Sequence, residues 1–282
     1  MNPALEYENL TPHMGSEVAD IDLATADDAT LAAIRDLLHE RLVLVFRDQK
    51  LTREQHKRIA RIFGTGKLHT HALAQMDSKD DEEIFVVKAD ASSKMVAGED
   101  WHTDVSCDRD PIIASTLYIS ETPEGGGGDT SYTNMYGMLE ALAPPLRQML
   151  AKVSAVHDGA RPYWEFYGIA PKAGQTYNKT VHPVILKHPV TGRELLWVNN
   201  GFTTKLVGFP HLQSRQILQM LFDHIAVSTE WQCRVNWKRS GTVVIWDNLA
   251  THHRASWDYF PKRRYGERVS TVGPDLTKAA TG

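Results

Sequence analysis

Residues 243–255 read VVIWDNLATHHRA, a short apolar run followed by a polar turn, and much of this 282-residue chain repeats that pattern. Four apolar residues followed by Asp247 and Asn248 predict a short buried strand that ends in a polar turn. His252 and His253 come next. Because neighbouring side chains of a strand point to opposite faces, only one of the two is expected to face the interior.

Short β-rich runs of this kind recur along the rest of the chain, separated by turn signals such as TPEGGGGD, HPVTGR and RSG. They read EIFVVK, ASTLYIS, PVILKHP, LLWVNN, QCRVNWK, TVVIWDN and RVSTVG. Helical periodicity precedes them at 27–42 and 51–64 and interrupts them near 134–152 and 212–226. This order predicts a mixed α/β chain with a mainly β core, a jelly roll or related barrel braced by N-terminal helices. With no internal repeat or low-complexity linker, residues 1–282 are interpreted as a single domain.

The two N-terminal helices carry recognisable start and stop signals. Asp27 or Asp28 can cap the first helix, and Thr52 can cap the second. Gly64 is placed to end the second helix. Between them, LVLVF at 42–46 is a continuous apolar run, which predicts a buried strand.

Composition excludes several classes of protein. The net charge of -4 and the pI near 6.3 argue against a nucleic-acid-binding surface. Two cysteines, Cys107 and Cys233, form neither a disulfide framework nor a cysteine zinc cluster, which fits a reducing compartment. The N-terminus lacks the pattern of a signal peptide, and no apolar run is long enough to cross a bilayer. We therefore expect a cytoplasmic protein that binds neither nucleic acid nor membrane.

The stretch WHTDVSC, residues 101–107, indicates a metal site. Side chains two apart in a strand share a face, so His102 and Asp104 are expected to point together into the barrel, with Thr103 facing away. Imidazole and carboxylate ligands suit Fe(II), and a second histidine would complete a facial triad. Among thirteen histidines, the His252–His253 pair is the best source of that ligand. From the residues alone, a surface H-x-D triplet without metal remains the alternative.

Arginines concentrate in PKRRYGER at 261–268. In a strand, Arg264, Gly266 and Arg268 would share one face, with Gly266 leaving space between the two guanidinium groups. A guanidinium group can donate two parallel hydrogen bonds to a carboxylate or sulfonate. The pattern favours an anion site, with a solvated charge run as the alternative.

Several longer blocks resemble the taurine dioxygenase family of Fe(II)- and 2-oxoglutarate-dependent oxygenases, and the likeness spans nearly the whole chain. The blocks are GSEVADIDL, LVLVFRDQKLTREQ, WHTDVS, GGDTSYTNM, VHPVILKHPVTGRELLWVN, GFTTKLV and WDNLATHHRA with YFPKRRYGER. The resemblance implies a double-stranded β-helix, which is a cupin-like jelly roll, and a requirement for Fe(II), 2-oxoglutarate and O2. It also implies a homo-oligomer, a dimer or a tetramer, by analogy alone.

The resemblance assigns roles to individual residues. His102, Asp104 and His253 take the places of the iron ligands, and His253 is preferred to His252 because it precedes the Arg-Ala step. Arg264 and Thr130 match the residues that bind the distal carboxylate of 2-oxoglutarate.

Substrate-binding positions match only in part. His71, Phe202 and Arg268 match residues at the anionic end of the family's substrate site and its aromatic wall, whereas Ala74 and Gly98 replace the residues that contact the amine of taurine. The implied substrate is therefore an organic anion without an ammonium group. The aromatic segment at 161–168 either lines the site for its tail or packs in the core.

The activity implied by the resemblance is hydroxylation of a small sulfonate, sulfate ester or aryloxyalkanoate-type carboxylate. Where the hydroxylated carbon bears a heteroatom, the product would collapse to a carbonyl compound. A desaturase or epimerase on the same iron and a non-catalytic jelly-roll binding protein are the alternatives. A zinc hydrolase is a further one, but WHTDVS offers no obvious general base.

Overall fold

A computed structural model of the chain describes residues 3–70, 81–96, 98–171, 174 and 176–277. Helix α1 (Asp28–Arg41) begins where the carboxylate of Asp27 accepts the amide hydrogen of Thr30. Helix α2 (Arg53–Ala60) begins at a capping box in which Thr52 and Gln55 satisfy each other's backbone amides. Both predicted helices are present, but the prediction that Gly64 ends the second is wrong, because α2 ends at Ala60.

Strands make up most of the remaining described chain. They are β1 (Tyr7–Asn9), β2 (Ser16–Val18), β3 (Val43–Phe46), β4 (Phe85–Ala89), β5 (Ile112–Glu121), β6 (Thr130–Asn134), β7 (Ser154–Asp158), β8 (Lys179–Pro183), β9 (Ile185–Lys187), β10 (Glu194–Leu196), β11 (Thr203–Leu206), β12 (Gln232–Val235), β13 (Thr242–Asp247), β14 (Thr251–Ala255) and β15 (Arg264–Val272). The largest sheet has the order β1-β2-β3-β13-β5-β15-β4, in which β2 and β3 pair in parallel and the other neighbours are antiparallel.

A smaller antiparallel sheet, β12-β6-β14, faces the large sheet. The ring of Tyr132 on β6 lies 5.7 Å from the ring of Trp246 on β13. Two further small sheets, β11-β7-β8 and β10-β9, complete the described strands. The space between the two facing sheets contains the candidate site.

Three more helices come after β6 in the chain: α3 (Met135–Glu140), α4 (Pro144–Leu150) and α5 (His211–Val227). A π-helical turn lies at Arg161–Phe166. The helix predicted near 212–226 is confirmed as α5. The segment predicted near 134–152 is two helices rather than one. Pro144 and Pro145 explain the break, because a proline disfavours helical backbone in the residue before it.

The core lies between the strands and the helices that cover them. All residues of β3 and β13 are buried on both faces of the sheet. Helix α1 packs against β3 and β13, and α2 packs against β5 and β15. Each fully buried Leu, Val, Ile or Phe side chain contributes about 1.5–3 kcal/mol relative to exposure. The fold is therefore mixed α/β with a mainly β core, as predicted. Among the described helices, none is long and apolar enough to cross a membrane.

Candidate metal centre

His253 converges with His102 and Asp104 although it lies far from both of them in the sequence. His102 Nε2 is 3.8 Å from Asp104 Oδ1, and His253 Nε2 is 3.7 Å from Asp104 Oδ2. One donor atom from each residue lies within 4.8 Å of the other two. The arrangement offers two imidazole nitrogens and one carboxylate to a single small cation.

Backbone pairing fixes the two histidines relative to each other. The amide of His102 donates to the carbonyl of His253 at 3.1 Å, and the amide of His253 donates back at 2.8 Å. The expectation of a continuous strand at 101–107 is wrong, because only His102 pairs and the chain turns at Asp104. Val105, with φ of +54°, carries that turn. Thr103 faces away from the centre as predicted and donates to the carbonyl of Asn248.

Hydrogen bonding sets the tautomer of His102 for metal binding. Its Nδ1 lies 2.8 Å from the carbonyl oxygen of Asp100. A carbonyl oxygen only accepts, so Nδ1 carries a proton and Nε2, on the side of Asp104, is the nitrogen that can bind a metal. Burial, together with neighbouring His102, lowers the pKa of His253 well below its ordinary value. The imidazole of His253 is therefore available as a neutral ligand.

A second cluster, His39, His188 and Asp247, has similar spacing but different chemistry. The Nδ1 of His188 accepts the amide hydrogens of Val190 and Thr191, both at 3.2 Å. The proton of a neutral His188 must then lie on Nε2, 3.1 Å from Asp247 Oδ2. No lone pair is left there for a metal. The cluster is a close contact between the buried carboxylate of Asp247 and two histidines.

Asp247 is charged in this cluster. Burial alone would raise the pKa of its carboxyl, but contacts with His188 and His39 hold it well below the usual range. Asp247 Oδ1 also accepts the amide hydrogens of Leu249 and Ala250. The carboxylate thus stabilises the turn between β13 and β14.

Arg264 and Thr130 lie beside the candidate metal-ligand triad formed by His102, Asp104 and His253, on β15 and β6. Arg264 is only 4% exposed, and its guanidinium carbon is 5.2 Å from the ring centre of Trp237. Trp237 Nε1 donates to Thr130 Oγ1 at 3.2 Å, so one tryptophan contacts both residues. Burial lowers the pKa of Arg264, whereas Tyr259 raises it. The Nε of Arg264 has no hydrogen-bond partner within the described part of the chain.

The glycine-rich stretch 125–128 approaches this arginine closely. A Cβ on Gly128 would lie 3.2 Å from Arg264 Cδ and 3.0 Å from Tyr259 Cε1. The amide of Gly128 donates to Asp258 Oδ1 at 2.7 Å. The loop therefore brings the chain past the buried guanidinium and into β6.

Arg268 lies on the same face of β15 as Arg264 and contacts the triad directly. Its Nη1 donates to Asp104 Oδ2 at 2.7 Å, and its guanidinium carbon is 4.8 Å from the ring centre of Phe85. The glycine at position 266, between the two arginines, is required for a different reason from the one predicted. A Cβ there would lie 2.4 Å from Ile119 Cδ1, so the glycine permits close packing of β5 rather than open space.

A cavity of about 550 Å³ opens onto the triad, both arginines and Thr130. Phe202, which is 5% exposed, forms part of its wall. The wall is mainly apolar, and its other members include Phe85, Met95, Val96, Val105, Leu117, Tyr163, Phe166, Tyr167 and Ile169. The aromatic segment at 161–168 thus lines the cavity with Tyr163, Phe166 and Tyr167, while Trp164 is 58% exposed.

Gly98 lies against His102 of the candidate metal-ligand triad. Its φ is +86°, and a Cβ would be 2.8 Å from His102 Cε1. Its amide donates to the hydroxyl of Tyr167 at 3.3 Å. No side chain fits at this position without displacing the imidazole. His71 and Ala74 lie outside the described residues.

His252 faces away from the triad, as the alternation in β14 predicted. It is fully buried, and it lines a separate cavity of about 130 Å³. Asn248 was missed as a site residue, although it stands in the turn quoted at the outset. Its side chain binds the backbone of Asp104 through two hydrogen bonds of 3.2 Å.

Comparison with known proteins gives consistent matches over most of the chain. Residues 6–270 match the family model described as Taurine catabolism dioxygenase TauD, TfdA family. The alpha-ketoglutarate-dependent dioxygenase cnsM of Penicillium expansum is 34% identical, over 96% of this chain and 79% of that protein. An alkylsulfatase of Acinetobacter baylyi is 32% identical, over 99% of this chain and 88% of that protein. The crystal structure of a taurine dioxygenase from Burkholderia xenovorans matches with a TM-score of 0.81 and 30% sequence identity, covering 96% and 90% of the two chains.

Proposed function

Because the chain belongs to the taurine catabolism dioxygenase TauD, TfdA family, we propose that it hydroxylates a small organic sulfonate, sulfate ester or aryloxyalkanoate-type carboxylate whose tail is apolar. It is a 2-oxoglutarate-dependent dioxygenase that requires Fe(II) and O2. The observation that carries the proposal is the convergence of His102, Asp104 and His253 at a cavity that also contains two arginines.

The donor set fits Fe(II). Two neutral imidazoles and one carboxylate form the ligand set typical of non-haem Fe(II) oxygenases and leave other positions open. The protonated Nδ1 of His102 turns its Nε2 toward Asp104. We assign His102, Asp104 and His253 as the residues that hold the metal. Bound there, Fe(II) supplies the O2 chemistry that couples conversion of 2-oxoglutarate to succinate and CO2 with hydroxylation of the substrate.

Arg264 and Thr130 are proposed to bind the distal carboxylate of 2-oxoglutarate. A nearly buried guanidinium without an anionic partner is costly. Its unpartnered Nε, its cavity position and the nearby Thr130 hydroxyl fit a bound carboxylate, which accepts two parallel hydrogen bonds from a guanidinium. These residues orient the co-substrate rather than react.

Arg268 and Phe202 are proposed to contact the primary substrate, with His71 as a third contact. Arg268 lies at the edge of the triad, where it can bind a sulfonate, sulfate or carboxylate head group. The tail then faces apolar side chains such as Phe166 and Ile169. Gly98 offers no side chain to an ammonium group. This supports an alkyl or aryl anion, including an aryloxyalkanoate, over taurine.

The architecture is proposed to be a double-stranded β-helix of the jelly-roll type, with residues 1–282 forming one dioxygenase domain. The two facing sheets support the jelly-roll architecture. The single domain is supported by the family match over 6–270 and by a continuous hydrophobic core that extends from Met14 to Leu276. The cytoplasmic location and the homo-oligomer stay predictions.

A substrate panel tests the function. The Fe(II)-loaded protein is incubated with 2-oxoglutarate, ascorbate and one of three anions: taurine, an alkyl sulfate or 2-phenoxypropionate. Succinate is quantified together with the inorganic sulfur or phenol product. We expect substrate-stimulated succinate with an apolar anion, in a one-to-one ratio with the second product. Rapid turnover of taurine alone, or substrate binding without succinate, would contradict the proposal.

A further inference from the structure

The turn at 247–250 connects β13 to β14, the strand that carries His253. Asn248 in this turn is fully buried, and its side-chain amide reaches the segment that carries Asp104. Asn248 Oδ1 accepts the amide hydrogen of Asp104, and Nδ2 donates to the carbonyl of Asp104, both at 3.2 Å. Nδ2 also donates to the carbonyl of Ile112 at 2.9 Å. One side chain therefore holds both main-chain polar groups of the proposed carboxylate ligand.

Asp104 needs such support because the sheet does not provide it. His102 pairs with β14, but the chain leaves that pairing at Asp104. The following residue, Val105, has a φ of +54°, a left-handed conformation that is strained for a β-branched residue. Such backbone persists where surrounding contacts determine it, and the Asn248 amide supplies two of them.

Asn248 is itself held rigidly. Its amide donates to the carbonyl of Ile113 at 2.8 Å, and its carbonyl accepts the hydroxyl of Thr103. On the other side, Asp247 accepts the amides of Leu249 and Ala250 at 3.1 and 2.9 Å. The backbone of Asn248 is thus held in place before any ligand binds, and its side-chain amide starts from a fixed position.

We propose that Asn248 is a positioning residue that holds Asp104 at metal-binding distance from His102 and His253. The inference rests on the proposed function, because it concerns the same three ligands. Asn248 itself is not proposed to touch the metal. Its loss should weaken metal binding through misplacement of the carboxylate.

The test is Co(II) titration of the apoprotein, followed by the visible absorption of the bound ion, with thermal unfolding measured in parallel. Asn248→Ala should bind Co(II) about 10–100-fold more weakly than the wild type, the usual effect of losing a group that orients a ligand. Asn134→Ala is the matched control. Asn134 is 5% exposed and also makes three side-chain hydrogen bonds, to the amides of Tyr136 and Gly137 and to the carbonyl of His13. The Asn134→Ala variant should lose about as much stability as Asn248→Ala. Its Co(II) affinity should stay within about twofold of the wild type.

A second variant covers failure of Asn248→Ala to fold. Asn248→Asp, kept protonated by burial, retains the acceptor for Asp104 and one donor, so its Co(II) affinity should lie between those of wild type and Ala. Wild-type affinity in the folded Asn248 variants, or equal loss in Asn134→Ala, would overturn the inference. Failure of the wild type to bind Co(II) would instead contradict the proposed metal centre.

Discussion

Replacing Gly98 by alanine tests how closely the backbone fits the metal-ligand histidine. The new methyl group would start 2.8 Å from His102 Cε1, whereas ordinary contacts begin at 3.4 Å. The imidazole would have to move by about half an ångström, because Gly98 is held in place by its carbonyl, which accepts a 2.7 Å hydrogen bond from the amide of Ala255. Alanine at φ +86° also costs about 1–2 kcal/mol of backbone strain.

Gly208→Ala separates these two effects. Gly208 has a φ of +80° with nothing within 4 Å of its Cβ position, so alanine there meets the backbone cost alone. Each kcal/mol lost from the free energy of unfolding lowers the melting temperature by about 2–4 °C in a protein of roughly this size. Gly208→Ala should therefore melt about 2–8 °C lower than the wild type, and Gly98→Ala, which adds the contact with His102, should lose at least as much. Only Gly98→Ala should also bind Co(II) about tenfold more weakly or worse, since a displaced ligand binds poorly. Equal Co(II) affinity in the two variants would refute the steric argument.

Asp104→Ala should abolish Fe(II)-dependent succinate formation, because it removes the carboxylate donor; full activity would contradict its assignment. Arg264→Lys should raise the KM for 2-oxoglutarate about tenfold or more with unchanged Co(II) affinity, because the planar fork is lost; an unchanged KM would reject this contact. His56, buried beside the carbonyl of Thr116, has its pKa lowered to about 4 by burial. The unfolded chain protonates it below its ordinary 6.5, so the free energy of unfolding should fall by about 3 kcal/mol between pH 6.5 and 4 through this residue. Urea unfolding of His56→Gln should show a correspondingly flatter pH dependence, and parallel curves would exclude His56 as the cause.

Local sequence signals were sufficient to predict the starts of the N-terminal helices and the buried strand between them. The caps at Asp27 and Thr52 start α1 and α2 where predicted. The apolar run at 42–46 forms the buried β3. The segment at 134–152 shows the limit of periodicity, since Pro144 and Pro145 divide a pattern that otherwise continues.

Long-range contacts account for what the sequence did not reveal. The backbone at Asp104 lies outside the strand pairing, and its amide and carbonyl bind Asn248, 144 residues away. Asp247 pairs with His39 across 208 residues, so their spacing gave no signal. The partner of Arg268 in this structure is likewise Asp104, which strand alternation alone could not indicate.

The most direct test of the account is a crystal grown without oxygen in the presence of Fe(II) and 2-oxoglutarate, measured at the iron absorption edge. We expect one strong anomalous peak bonded to His102 Nε2, Asp104 and His253 Nε2, with the far carboxylate of 2-oxoglutarate on Arg264. A peak at the His39–His188–Asp247 cluster, or iron bound without His253, would contradict the account.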